Sequence, residues 1–241
     1  MKRTAGTDAA KRAAGEAAAE LVEDGTVVGL GTGSTAAFAI RAIGRRVDAG
    51  VDVRGVATSF AARELARDCG IPLVELPDVT GGVEPGDCDG SPGIDLAIDG
   101  ADQVAGGDLI KGGGAAHARE KLVDDAADRF VVVVDRSKVA DAIDAPVPVE
   151  VLPDARGIVT ASVFDLGGEA TLRSADRKDG PVVTDNGNLV LDCEFGRIDD
   201  PDVLAARLSA LPGVVEHGLF VGLADEVYVG DDGGDVDVLG R

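Results

Sequence analysis

The run Lys111-Gly112-Gly113-Gly114, followed within one turn or two by His117, Arg119 and Glu120, places a cation, a pliable backbone and a base close together along the chain. Successive glycines lose much backbone entropy on folding, so a chain that keeps three of them needs backbone that passes close to something else. Lys111 can set positive charge against a developing oxyanion, the glycine N–H groups can add hydrogen bonds, and Glu120, in the second turn of an expected helix, can carry a proton. Nine residues before Lys111, the segment Asp99-Gly100-Ala101-Asp102 adds two carboxylates just beyond an apolar run. One base plus donors for an enediolate is the equipment for moving a proton between adjacent carbons, as in aldose–ketose isomerisation. That chemistry needs neither metal nor nicotinamide. On composition alone, Glu120 as a solvated helix residue and Lys111 as a surface charge is the favoured reading. His117 reads as a supporting or surface residue.

A second constellation, Gly29-Leu30-Gly31-Thr32-Gly33-Ser34-Thr35, lies where an apolar run ends and a helical pattern begins. Glycines admit an anion close to the backbone, a helix N-terminus presents N–H groups, and Thr32, Ser34 and Thr35 add hydroxyls, so a phosphate fits. The spacing Gly31-x-Gly33-x-x-Ala36 also satisfies the relaxed dinucleotide fingerprint. A dinucleotide needs an acidic residue at the end of the second strand, where this chain has Val56-Ala57-Thr58-Ser59, and Asp52 stands at the wrong end. A plain structural turn is the third reading. Lys11, on an Ala-rich helix, is by spacing a solvated lysine.

The elements that must position these residues alternate. Expected are a helix over Thr7–Glu23, a strand over Thr26–Leu30, a helix over Ser34–Val47, a strand over Val53–Ala57 and a helix over Ser59–Asp68. Strands over Leu73–Leu76 and Asp95–Asp99, a helix over Ala115–Asp128 and a strand over Phe130–Asp135 follow. This rhythm is that of a Rossmann-like, doubly wound, mainly parallel sheet. Residues 77–93, rich in Gly, Pro and Asp, read as an exposed acidic excursion. Beyond Pro146 the order becomes strand Val147–Val151, helix Ala155–Leu166, strand Ala170–Ser174, strand Asn188–Cys193, helix Pro201–Leu211 and strand Val214–Phe220. That is a ferredoxin-like α+β unit, with Asn186-Gly187 as its hairpin turn. A final strand pair near Glu226–Val229 and Val236–Leu239 is expected to rejoin the first sheet. The smaller domain, 145–220, is then an insertion in a domain formed by 1–144 and 221–241.

The 44 acidic against 23 basic residues give a formal charge of −21, spread along the chain. Such a field disfavours nucleic acid and anionic membrane as partners and suits a surface adapted to concentrated salt. No apolar stretch is long enough to span a membrane and the N-terminus lacks a secretory apolar core, so the expected location is cytoplasmic. Cys69, Cys88 and Cys193 are widely spaced, which disfavours a disulfide framework or a zinc site.

Taken in order, Val28 to Thr35, Asp99-Gly100-Ala101-Asp102, Lys111 to Ala116 with Arg119-Glu120-Lys121, Val147 to Val151, Asp185-Asn186-Gly187-Asn188 and Leu211 to Val215 closely resemble ribose-5-phosphate isomerases of the A type. The likeness runs nearly end to end. It implies interconversion of ribose 5-phosphate and ribulose 5-phosphate through an enediol, with no cofactor and no metal, and a homodimer or homotetramer. Glu120 matches the family's proton-transferring base. Asp99 and Lys111 match residues of ring opening and of charge handling on substrate oxygens, with Gly100, Ala101, Asp102, Gly112, Gly113 and Gly114 in the same substrate loops. Thr32, Gly33, Ser34 and Thr35 match the phosphate loop, Lys138 a substrate-binding lysine, and Lys11 becomes a phosphate contact. Two departures stand out: Gln103 replaces a usual Glu, removing a charge beside the site, and the 77–93 loop is longer than usual. A sugar-phosphate-sensing regulator would need a DNA-binding segment and a basic face, and a CoA transferase would not need the phosphate loop or the Asp99/Asp102 pair.

Overall fold

The computed structural model describes residues 6–80, 93–176 and 179–240. They form two compact units, one from the described parts of Thr4–Gly100, Arg119–Ser137 and Leu223–Arg241, the other from those of Ala101–Ala118 and Lys138–Gly222. Segment 101–118 therefore groups with 138–222, whereas the pattern of the sequence assigns it to the parallel-sheet domain.

The first unit is built on β1 (Thr26–Leu30), β2 (Val53–Ala57), β3 (Leu96–Gly100), β6 (Phe130–Asp135), β12 (Glu226–Gly230) and β13 (Val236–Gly240), in the order β13-β12-β6-β3-β1-β2. All pair in parallel except β13, which pairs antiparallel to β12. The closing strand pair thus joins the first sheet as expected. β6 is buried throughout, which explains its unbroken Phe-Val-Val-Val-Val run: a strand covered on both faces needs apolar side chains at every position.

Helix α1 (Asp8–Ala19) is capped by Thr7, whose hydroxyl accepts from the Ala10 N–H at 3.2 Å, and it packs Ala14 and Ala18 into the core. It ends earlier than expected because Glu20, Leu21 and Val22 switch to bonds three residues back. Small residues let it lie close to α2 (Ala36–Asp48): a Cβ on Gly15 would stand 2.8 Å from the Ala39 nitrogen. Helix α3 (Phe60–Asp68) is capped by Ser59. The expected strand at Leu73–Leu76 reduces to one bridge, Leu73 to Gly55, and the chain turns into the short α4 (Leu76–Thr80). Pro77 lacks a ladder donor yet is tolerated in a helix's first turn. The expected irregular loop thus begins as a helix with Val79 buried, and residues 81–92, including its remaining acidic side chains and Cys88, lie outside the described residues.

In the second unit β7 (Val147–Val151), α6 (Arg156–Asp165), β8 (Glu169–Leu172), β9 (Leu189–Glu194), α7 (Pro201–Ser209) and β10 (Val214–His217) give the ferredoxin-like order, with an antiparallel sheet β10-β7-β9-β8. Two features differ from expectation. A hairpin of β4 (Gln103–Ala105) and β5 (Asp108–Ile110) turns on Gly106 and Gly107, at φ +59° and +95°, as a tight turn of this hand requires. The last expected strand divides at Gly218 into β10 and β11 (Leu219–Phe220), and β11 pairs with β5. Gly218 donates to Pro148 at 2.7 Å and accepts from Lys111 at 2.9 Å, and a Cβ there would lie 2.1 Å from the Lys111 carbonyl oxygen.

Candidate functional site

In the first unit the order of strands reverses between β1 and β3, the switch point at which open α/β sheets bind ligands at their carboxyl ends. The loop after β1 is fastened there. Gly31 N–H donates to the Ile98 carbonyl at 3.0 Å, and Thr32 N–H donates to Asp99 Oδ1 at 2.9 Å. Asp99 is fully buried, and its Oδ1 also accepts from Gly100 N–H at 2.6 Å. A Cβ on Gly31 would stand 2.2 Å from that oxygen, so glycine is what lets the carboxylate approach the loop. Gly33 adopts φ +124° and is exposed together with Ser34, while Thr35 stands at the N-cap of α2 without using its hydroxyl as a cap.

Two residues beyond β2 complete this loop and are not singled out by sequence reasoning. Thr32 Oγ1 donates to Ser59 Oγ at 2.6 Å and lies 2.8 Å from Thr58 Oγ1, and both partners are buried. The only sequence signal at Thr58-Ser59 is the lack of an acid. The resulting row of hydroxyls and the α2 N-terminus suits a phosphate dianion, whereas the ribose diol of a dinucleotide would meet Thr58 and Ser59 at the end of β2 in place of an acidic residue. Lys11, half-buried on α1, lies one helical turn before Gly15, which abuts the Thr35 carbonyl.

Helix α5 (His117–Asp125) starts two residues later than expected, because Ala115 adopts φ +60° and cannot be helical. Glu120 consequently sits in the first turn, 3% exposed. The helix presses on β1, where a Cβ on Gly29 would lie 2.7 Å from Val123. Arg119 fastens its start by donating from Nε to the Ala57 carbonyl at 2.8 Å, and its Nη2 lies 3.6 Å from Glu75. The hydrogen bond from Arg63, aided by the charges of Arg63 and Arg119, holds the Glu75 carboxyl below its ordinary range. The base candidate is therefore set at the same sheet edge as the phosphate loop by a neighbour anchored to β2.

In the second unit Lys111 follows β5 and is 2% exposed, its Nζ 5.4 Å from the centre of the Phe220 ring, a cation–π distance. Gly113 N–H donates to Asp102 Oδ2 at 2.6 Å, and a Cβ on Gly113 would meet Asp102 Oδ1 at 2.5 Å. Gly112, at φ +101°, faces His117, whose Nδ1 would lie 2.7 Å from an added Cβ. His117 is fully buried, with Nε2 3.3 Å from the Glu216 carbonyl oxygen, which gives it a packing role in the turn. Lys138 ends a short 3-10 turn and is half-buried. Gln103 is buried, donates to Asp144 Oδ1 at 2.6 Å and accepts from the Asp144 and Ala145 N–H groups at 2.9 Å.

The chain is similar to proteins of one family along nearly its whole length. The family described as ribose 5-phosphate isomerase A (phosphoriboisomerase A) matches residues 54–234. The ribose-5-phosphate isomerase A of Haloarcula marismortui is 68% identical over 225 residues, 93% of each chain. The structure of ribose 5-phosphate isomerase A from Methanocaldococcus jannaschii is similar at 44% identity and a TM-score of 0.86, covering 96% of this chain and 98% of that one. A D-ribose-5-phosphate isomerase solved in complex with phospho-erythronic acid is 41% identical, with a TM-score of 0.87 over 96% of this chain and 97% of that one.

Proposed function

This chain belongs to the ribose 5-phosphate isomerase A family, aldose–ketose isomerases acting on ribose 5-phosphate, and on that premise we propose how its own residues divide the reaction. The phosphate of the substrate is received by Thr32, Gly33, Ser34 and Thr35, with Thr58 and Ser59 orienting the Thr32 hydroxyl and Lys11 adding charge. Asp99 assists ring opening. Glu120 removes the C2 proton of the open aldose and delivers it to C1 of the enediolate, while the O2 hydroxyl proton passes to O1, yielding ribulose 5-phosphate. Negative charge that develops on the substrate oxygens is met by Lys111 and by N–H groups of the Gly112–Gly114 turn. Asp102 holds that turn through the Gly113 N–H. Lys138 is a further substrate contact.

The observation that carries this reading is the fastening of the Gly31–Thr35 loop to Asp99 across the β1/β3 switch point, with buried Glu120 at the start of α5. The ligand of the related complex fits the same chemistry: phospho-erythronic acid pairs a phosphate with a planar carboxylate resembling an enediolate. The protein acts on a free sugar phosphate in the cytoplasm as a homo-oligomer, with no nucleic-acid or membrane partner. Among the described residues no helix is long and apolar enough to cross a membrane.

The test is conversion of ribose 5-phosphate to ribulose 5-phosphate at high salt with chelator present, for wild type and Glu120→Gln. Wild type is expected to turn over, and Glu120→Gln to lose about 100-fold or more in kcat, the scale of a general base. Absence of wild-type turnover would overturn the activity, and near-full turnover by Glu120→Gln would remove Glu120 as the base.

A further inference from the structure

We propose that Arg173 is a positioning residue for the isomerisation, and that with Asp192 it fixes the peptide group joining Gly112 to Gly113 in its working orientation. The proposal rests on the reading of Lys111–Gly114 as the segment that meets charge on the substrate oxygens.

Arg173 directly follows β8 and pairs its backbone N–H with the Val190 carbonyl at 2.9 Å. Its side chain is 15% exposed and lies along β9, where Nε is 2.9 Å from Asp192 Oδ2 and Nη2 pairs with Asp192 Oδ1. A guanidinium is a planar fork, so a carboxylate that takes the Nε/Nη2 edge leaves Nη1 aimed in a fixed direction. Nη1 donates to the Gly112 carbonyl at 2.8 Å, 61 residues away in sequence. The Arg173–Asp192 pair alone suffices as a cross-strand contact. The third bond has no part in the β8/β9 ladder.

The carbonyl it reaches belongs to a peptide plane gripped at both ends. The Gly112 oxygen accepts from Arg173 and from the Ala115 N–H at 2.9 Å, while the Gly113 N–H of the same plane donates to Asp102 Oδ2. Since a peptide group is rigid, holding its oxygen on one side and its nitrogen on the other fixes the tilt of the plane and the direction of the neighbouring groups. The turn also needs holding. Ala115 is the one non-glycine among the described residues with positive φ, a conformation that persists only where the surroundings over-determine it. A lysine at 173 could reach Asp192 or the carbonyl, but its single ammonium cannot hold both with the geometry of a fork.

The experiment measures kcat and KM for ribose 5-phosphate, with melting temperature, in Arg173→Ala, Arg173→Lys, Asp192→Asn and Lys111→Met. Misplacing a reacting segment by about 1 Å costs on the order of 100-fold, so Arg173→Ala should lose roughly 10- to 100-fold in kcat with KM within about threefold. Arg173→Lys should recover only part of this, and added guanidinium chloride, but not sodium chloride of equal ionic strength, should raise kcat of Arg173→Ala. Asp192→Asn keeps the side-chain volume and should show a smaller kcat loss of the same kind, which covers the case of an Arg173→Ala chain that fails to fold. Folded Arg173→Ala or Asp192→Asn with wild-type kcat and only a lower melting temperature would overturn the proposal, leaving the pair a sheet contact. Wild-type kcat in Lys111→Met would instead overturn the reading of the loop itself, and the proposal with it.

Discussion

The amide of Gln103 uses both of its ends, donating to Asp144 and accepting from two backbone N–H groups at residues 144 and 145, and a carboxylate could serve only the second of these. Replacing Gln103 by Glu would retain the acceptor but set a buried negative charge against Asp144. The carboxyl of Gln103→Glu should therefore be raised above its ordinary value in the folded state. A group raised by folding contributes stability that is present at low pH and lost as pH rises through its folded pKa. The variant is expected to be about 1–3 kcal/mol less stable than wild type at pH 8, with the gap narrowing towards pH 5. Urea unfolding at both pH values measures this, and an equal gap at the two would show that charge is not the cause. The same contrast governs what single residues reveal in sequence. Asp99 and Lys111 can be singled out from sequence because each stands beside a glycine at the end of an apolar run, where local pattern already implies a sheet edge, and Glu120 because it opens the helical pattern that follows the triple glycine. Thr58, Ser59 and Arg173 carry no such mark, since the bonds that tie them to the Thr32 hydroxyl and the Gly112 carbonyl span 26 to 61 residues and appear only when the chain is folded.

A strand covered on both faces, such as β6, is readable to the residue because a short unbroken run of Phe and β-branched residues between turn signals favours a buried strand. Elements of two or three residues are not: β4, β5 and β11 are too short to show a period, although the Gly106-Gly107 pair between β4 and β5 was a usable hairpin signal. The division at Gly218 is equally hidden, because the residues on both sides suit a strand and only the partners change from β7 to β5. The turn at 184–188 shows how a legible motif can rest on an illegible support. Its Asn-Gly pair announces a tight turn, yet what holds it is the fully buried Glu150 of β7, whose Oε1 accepts from Thr184 at 2.9 Å, Asn186 at 3.0 Å and Asn188 at 2.8 Å. Glu150→Ala would orphan three donors and is expected to cost roughly 3 kcal/mol, since an unsatisfied buried group is penalised more than a hydrogen bond gains. Glu150→Gln can keep its oxygen at the Oε1 position, where the three donors converge, and should lose clearly less. Chemical unfolding of the two variants separates these outcomes, and equal losses would place the stabilisation in the charge rather than in acceptor geometry.

Among the described residues the buried acidic side chains are Asp99, Glu120, Asp124, Asp135 and Glu150, so most of the acidic excess behind the charge of −21 lies on the surface or partly exposed. Two opposed effects of salt follow. Screening weakens exposed ion pairs such as Arg45–Glu16 and Arg67–Glu64, each worth about 1 kcal/mol or less, and it also weakens repulsion among the surplus carboxylates. With 44 acidic residues against 23 basic, the surplus of 21 negative charges cannot be matched one to one by cations and has many like charges to be relieved of, so repulsion dominates. The Debye length falls from about 10 Å at 0.1 M salt to about 3 Å at 1 M, shorter than the spacing of most surface charges, so the gain should be nearly complete by about 1 M. The melting temperature in KCl is therefore expected to rise steeply below that concentration and to flatten above it. A rise that continues linearly to several molar would instead mark strengthened apolar burial by excluded salt, which does not saturate with screening. A melting temperature indifferent to KCl would show that the carboxylates are spaced or hydrated well enough not to oppose folding, and would remove the reading of this surface as an adaptation to concentrated salt.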